Sequence, residues 1–239
     1  MLDRRDTEIL AEFFDGKELD AAIKRVEDGE PLAYVIGRWY FYGLTFKLNR
    51  DCLIPRPDTE HVVDKAISLI PKNGTFADLC TGSGCIAISV KKHRPDLLGY
   101  ALDVSMNAIE MTKQNAKENG VTLTYLVTDV LTQEPDEIFP MLDAVISNPP
   151  YIRTDVLKGL DVAKTEPLIA LDGGSDGLIF YKTIVEKYLP ILKKDGVFIF
   201  EIGYDQADDL KEIAKKHNLN CEIFKDYGGN NRVAVMKRL

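Results

Sequence analysis

Thr75-Phe76-Ala77-Asp78-Leu79-Cys80-Thr81-Gly82-Ser83-Gly84-Cys85-Ile86-Ala87-Ile88 is the stretch that decides the fold. Residues 75–79 read as a buried strand, residues 80–84 as a tight glycine-bearing turn, and residues 85–92 as the start of a helix. A strand that passes through such a turn into a helix opens a βαβ unit. Downstream the alternation continues. Strands are predicted at 97–102, 122–127, 142–147 and 196–201. Helices are predicted from the cap Ser105 to Glu118, closed by Asn119-Gly120, and at 178–189 and 205–217. Residues 220–224 and 232–236 form a closing hairpin. The pattern predicts an α/β fold with a doubly wound, seven-stranded, mostly parallel sheet, antiparallel only at its last strand.

The fourth of these strands, Leu142-Asp143-Ala144-Val145-Ile146-Ser147, runs straight into Asn148-Pro149-Pro150-Tyr151. Two prolines end the strand, because neither can donate to a ladder, and Pro149 holds Asn148 extended. A stiff loop therefore stands at the carboxyl end of a central strand, where open α/β sheets bind ligands. Asn148 offers an acceptor and two donors, and the carbonyls of Asn148 and Pro149 are rigid acceptors. Acceptors converging on a planar NH2 group would hold both its hydrogens, and the Tyr151 ring could stack on it. Such a nitrogen is a poor nucleophile, and holding it in line with an activated methyl group is help that positioning can give.

Three acidic residues stand at three successive strand ends. Asp78 precedes the turn with Gly82 and Gly84, where a ligand can approach the backbone closely. Asp103 can hold two ribose hydroxyls, and Asp129 can reach an adenine amine. The trio favours a nucleoside without phosphates, which carboxylates would repel. This points to S-adenosylmethionine over NAD, the rival for a glycine-rich first turn.

Before residue 75 the chain is different. Residues 6–14 and 19–28 read as short amphipathic helices stopped by Gly16 and Gly29, either a packing cap or a partner-docking element. Trp39-Tyr40-Phe41-Tyr42, then Gly43, then Leu44 to Leu48 reads as a β-hairpin whose aromatics pack. Leu53-Ile54-Pro55-Arg56-Pro57-Asp58-Thr59-Glu60 is a rigid connector that presents Arg56, and Asp58 or Thr59 is expected to cap a helix over 59–70.

Composition bounds the function. The 239 residues carry a net charge of −8, and residues 1–30 hold ten acids against five bases, so no stable nucleic-acid binding is expected. Cys52, Cys80, Cys85 and Cys221 form no C-x-x-C pair, and with three scattered histidines no metal site is expected. Free thiols suit a cytoplasmic protein. Neither a signal peptide nor a membrane-spanning run is visible.

The chain resembles the HemK/PrmC family, the N5-glutamine methyltransferases of peptide chain release factors. The resemblance rests on Glu30-Pro31-Leu32-Ala33-Tyr34, the connector from Leu53 to Glu60, Asp78 to Gly84, and Ser147 to Ile152. It continues through Glu166-Pro167 with Ala170-Leu171, Asp176-Gly177-Leu178, Glu201-Ile202-Gly203, and Lys225-Asp226 with Arg232-Val233. The Asn-Pro-Pro-Tyr motif is shared with adenine-N6 DNA methyltransferases; the connector and the later motifs are more specific. The resemblance implies a class I S-adenosylmethionine-dependent methyltransferase domain over 58–239, behind a short helical region (1–30) and a β-hairpin linker (31–57). It implies that Asp78, Leu79, Cys80, Thr81, Gly82, Gly84, Asp103 and Asn148 hold S-adenosylmethionine, with Asp129 and Val130 at the adenine. It also implies that Asn148, Pro149, Pro150 and Tyr151 hold the glutamine of a release factor's Gly-Gly-Gln motif; a monomer is expected. A glutamate there would set oxygen against oxygen.

Two departures stand out. The family often has a longer helical region before Glu30-Pro31, and that region helps to dock the protein substrate. Cys80 stands where many members have glycine, so residue 80 is expected not to need a positive φ. The ribosomal-protein L3 glutamine methyltransferases share the Leu-Cys-Thr-Gly-Ser-Gly-Cys loop but differ in the connector. Two other readings carry different demands. A nucleic-acid amino methyltransferase needs a basic, aromatic track and a base-flipping pocket, and a non-catalytic docking module has no need of the Asn148 loop.

Overall fold

Two helices lead the chain in the computed structural model, which describes residues 2–135 and 139–239. They are α1 (Arg4–Ala11) and α2 (Gly16–Glu27). Both begin earlier than their periodicity predicts. The Asp3 carboxylate accepts from the Arg5 amide, which starts α1, and Gly16 opens α2 instead of stopping α1. Leu10 and Ala22 are buried against Val35 of α3 (Leu32–Ile36). At five residues, α3 is too short for a helical period to be read from sequence.

The hairpin is β1 (Arg38–Phe41) paired antiparallel with β2 (Leu44–Lys47). Phe41 and Phe46 enter the main core, and Trp39 packs on a smaller cluster with Tyr34, Cys52 and Ile54. The aromatic run is therefore packing, apart from the exposed Tyr40. A 3-10 turn, Pro57–Thr59, leads into α4 (Glu60–Leu69). Neither Asp58 nor Thr59 caps that helix, contrary to expectation. The Thr59 hydroxyl donates to Glu201, and Asp58 pairs with Arg232 at 3.2 Å. Tertiary partners have displaced a local one.

The alternation then runs β3 (Thr75–Leu79), α5 (Cys85–His93), β4 (Leu98–Asp103), α6 (Met106–Asn119), β5 (Thr124–Val127) and β6 (Leu142–Ser147). The short helices α7 (Thr154–Leu157) and α8 (Val162–Thr165) follow, then α9 (Ile179–Tyr188), β7 (Leu192–Glu201), α10 (Ala207–Lys216), β8 (Leu219–Lys225) and β9 (Asn231–Arg238). Ser105 caps α6 as expected, its hydroxyl accepting from the Ala108 amide at 3.2 Å, and Gly120 closes that helix with φ +67°.

The seven-stranded sheet has the order β5-β4-β3-β6-β7-β9-β8. All neighbours from β5 to β7 are parallel; β9 is antiparallel to both β7 and β8. The last strand is thus the one that runs against the others, and it lies inside the sheet. Strand period two divides the core. Val197 and Ile199 face the α4–α5 side, while Phe198 and Phe200 face α9 and α10. From β3 the chain winds outward through β4 and β5, then returns to β6 on the other side. The crevice between β3 and β6 is the switch point where such sheets bind ligands.

Candidate active site

The carboxyl ends of β3, β4, β5 and β6 open onto one cavity of about 230 Å³. The turn after β3 contributes Cys80, Thr81 and Gly82, β4 contributes Asp103, the segment after β5 contributes Asp129 and Val130, and β6 leads into Asn148 and Pro150. Asp78, Leu79, Gly84, Pro149 and Tyr151 do not line it.

Asp78 works from beneath. It is wholly buried, and its Oδ2 accepts from Thr81 Oγ1 at 2.6 Å and from the Ala87 amide at 3.2 Å, which ties the turn to the start of α5. Its Oδ1 is buried without a hydrogen-bond partner. Burial pushes this carboxyl up to about 7, with the Asp103 charge adding and the two hydrogen bonds opposing. In the unfolded chain an aspartate titrates near 3.9. A folded pKa above the unfolded one favours folding fully below about pH 4, and that contribution is lost as pH rises to about 7. Asp78→Asn cannot ionise. It is expected to melt above the wild type at pH 8 without cofactor, the gap narrowing toward pH 4. Calorimetry at both pH values checks this, and an equal gap at the two would refute it.

Cys80 corrects an expectation. Its φ is +59°, in the left-handed region, although it is not glycine. The Thr81 amide reaches across to the Leu102 carbonyl at 2.9 Å, and the Ser147 hydroxyl holds the Leu79 carbonyl at 2.6 Å. The neighbouring strands fix the turn on both sides, and a non-glycine residue adopts the strained geometry at about 1–2 kcal/mol. Gly82 has φ +57° and nothing within 4 Å of where a Cβ would sit, so the turn is open toward the cavity. Gly84 serves packing: a Cβ there would lie 2.6 Å from the Thr112 methyl.

Asp103 accepts from the Gly82 amide and from the Ser105 amide, each at 2.9 Å. Burial raises its pKa, and these amides oppose the rise. Asp129 shapes its own turn, accepting from the Leu131 amide and the Thr132 hydroxyl at 2.9 and 2.8 Å. The charged residues of the lining are Asp51, Asp103 and Asp129 with one cation, Arg56. Such an acidic, acceptor-rich lining suits S-adenosylmethionine, a cation without phosphates, and opposes a dinucleotide.

The Asn148 loop is braced from behind. The Tyr151 ring packs against the core and its hydroxyl donates to Glu201 Oε1 at 3.1 Å. Gln206 Nε2 donates to the Tyr151 carbonyl at 3.1 Å. Glu201 is buried; burial raises its pKa, while Thr59, Arg232 and Tyr151 oppose the rise. Glu166 ties the connector to the cavity mouth. Its carboxylate accepts from the Ile54 amide at 3.0 Å and pairs with Arg56, and the segment after it brings Ile169 and Ala170 to the lining.

Thr59, Glu166 and Glu201 were not among the residues that sequence reasoning placed at the site. Glu201 carries a signal, a carboxylate ending the otherwise apolar run Val197-Phe198-Ile199-Phe200. All four cysteines are free thiols, and three of them, Cys52, Cys80 and Cys85, line the cavity. Burial raises the pKa of each, so none is a poised nucleophile. Among the described residues no helix is long and apolar enough to cross a membrane.

Comparison with known proteins agrees with this geometry. The family model "methyltransferase small domain" matches residues 61–165, which hold the strand ends from β3 to β6. The release factor glutamine methyltransferase of Thermodesulfovibrio yellowstonii is 37% identical over 228 residues, covering 92% of this chain and 81% of that protein. The one from Aquifex aeolicus is 38% identical over 219 residues, covering 90% and 78%. Among solved structures, a methyltransferase from Pyrococcus furiosus superposes with a TM-score of 0.63 at 15% identity, covering 92% of this chain and all of that one, which supports the fold.

Proposed function

The chain belongs to the release factor glutamine methyltransferases, and we infer that its cavity brings S-adenosylmethionine to the side-chain amide nitrogen of a release factor's Gly-Gly-Gln glutamine. The observation that carries this reading is that Asn148 and the Gly82–Asp103 pair face one cavity. When bound, S-adenosylmethionine supplies a methyl group made electrophilic by its sulfonium.

The chain's own residues then divide the work. Cys80, Thr81 and Gly82 give the cofactor an open stretch of backbone, and Asp78 and Leu79 hold that stretch from below, with Gly84 seating it on α6. Asp103 keeps an acceptor site on each oxygen for the ribose hydroxyls, because each oxygen takes one amide here. Asp129 and Val130 border the adenine. Asn148 presents an acceptor to the substrate NH2 from the cavity lining, the carbonyl of Pro149 is read as a second acceptor although Pro149 itself lies behind that lining, Pro150 stiffens the loop, and Tyr151 steadies it through Glu201. Residues 1–30 and the linker 31–57 are read as the substrate-docking side of domain 58–239.

This arrangement selects an amide. A glutamate would set its oxygens against the same acceptors, and a site built for an N–H rejects such an analogue by about 10⁴-fold. The test is transfer from methyl-labelled S-adenosylmethionine to an unmethylated release factor, followed by peptide mass mapping. One methyl on the Gly-Gly-Gln glutamine is the expected result. Cofactor binding with no label on that glutamine would overturn the substrate assignment.

A further inference from the structure

An asparagine can meet a substrate amide with either end. Turned by half a rotation, Asn148 would offer NH2 where it now offers oxygen, and the two ends select opposite partners. The prolines that stiffen the loop do not decide between them; the direction of the surrounding hydrogen bonds does.

Asn148 Nδ2 lies 3.3 Å from Thr59 Oγ1. Thr59 and Glu201 are each only 2% exposed. The single hydroxyl proton of Thr59 goes to Glu201 Oε2, and the other carboxylate oxygen takes the Tyr151 hydroxyl at 3.1 Å. Each hydroxyl spends its one proton on a different oxygen of the same carboxyl group, so neither has a second proton to offer elsewhere. Burial raises the pKa of Glu201, and the Thr59 hydrogen bond and the field of Arg232, which Asp58 and Asp226 hold at 3.2 Å each, oppose that rise. Thr59 Oγ1 therefore faces Asn148 as an acceptor, and Asn148 must answer with its nitrogen. No described residue donates to Asn148 Oδ1, and Asn148 lines the cavity.

We propose that Thr59 and Glu201 are positioning residues that lock the Asn148 amide with its oxygen toward the substrate nitrogen, and so favour glutamine over glutamate. The catalytic consequence rests on the glutamine methyltransferase reading. The hydrogen-bond order does not.

Thr59→Val and Thr59→Ser separate positioning from packing. Valine keeps the shape and loses the hydroxyl; serine keeps the hydroxyl and loses the methyl. With S-adenosylmethionine saturating and release factor varied, Thr59→Val is expected to lose about tenfold in kcat, the effect of one lost oriented hydrogen bond, with cofactor affinity unchanged. Thr59→Ser is expected within about threefold of wild type on the same scale. The reverse order, serine impaired and valine normal, would assign Thr59 to packing and overturn the proposal.

A second measurement needs no substrate. The side-chain NH2 signal of Asn148 in a 15N spectrum, identified by its absence from Asn148→Ala, should mark a hydrogen-bonded amide in wild type and Thr59→Ser and shift in Thr59→Val. An identical signal in all three would refute the lock. If neither Thr59 variant folds, Glu201→Gln takes their place. Its amide can accept from only one of the two hydroxyls, so the same signal should shift and kcat fall severalfold; an unchanged signal would overturn the proposal. Wild type that leaves the release factor unmethylated would sink the functional reading alone, since the spectrum still reports on the lock.

Discussion

Asn148→Ala is expected to bind S-adenosylmethionine with the affinity of wild type and to lose about 10²–10³ in turnover, the range seen when one preorganised polar partner is removed from a reacting group. The side chain stands just after the end of β6 and lines the same cavity as the Gly82–Asp103 pair. Removing it leaves the 80–82 turn and its hydrogen bonds to Asp103 and Leu102 untouched. It also leaves the Tyr151 and Gln206 bonds that hold the loop from behind. What is lost is the acceptor on the substrate nitrogen. Equilibrium dialysis with the cofactor and a single-turnover methylation assay separate the two effects. Full turnover in this variant would remove Asn148 from the mechanism, and loss of cofactor binding would move it to the other side of the site.

Gly173→Ala is expected to lower stability by about 2–3 kcal/mol and turnover by about 10²-fold, although residue 173 does not line the cavity. A Cβ there would lie 2.7 Å from Tyr151 Cα and 2.9 Å from the Pro150 carbonyl oxygen. Both are backbone atoms, so no side chain can rotate away. Gly173 cannot retreat either, because its amide donates to the Ile152 carbonyl at 2.8 Å and Ile152 is bridged to Asp172. The loop from Asn148 to Tyr151 must shift as a unit, and a misplacement near 1 Å is enough to cost two decades of rate. A melting curve and steady-state kinetics on the same preparation test this; an unchanged melting temperature with full activity would show that the loop has slack.

The sheet and the place of the Asn148 loop at the end of β6 were legible in the chain because their signals are local. A strand, a glycine turn and a helix start are contiguous between residues 75 and 92, and Asn148-Pro149-Pro150 carries its own stiffness. Asp103 was legible for the same reason, standing at a strand end. Thr59 and Glu201 were not, because their meaning lies in each other across 142 positions. Read alone, Thr59 looks like a helix cap, which is the local use of a threonine before a helix. Glu166 was hidden in the same way, since its partners Ile54 and Arg56 precede it by more than a hundred residues. Cys80 failed for a different reason. Residue preference for φ is a weak energy, and the bonds of Thr81 and Ser147 on either side outweigh it.

The position of β9 between β7 and β8 bears on how the protein is made. During synthesis, β7 leaves the ribosome with one edge unpaired, and that edge stays open until residues 231–238 follow it. β8 emerges first but cannot close the gap, because its partner in the sheet is β9. Arg232 comes on the same late strand, so Glu201 has no guanidinium beside it until then. Nascent chains halted anywhere before residue 231 would display a naked apolar sheet edge to their neighbours, a recognised route to aggregation. The closing of the β7 edge and the arrival of Arg232 near Glu201 are therefore one event in the life of the nascent chain.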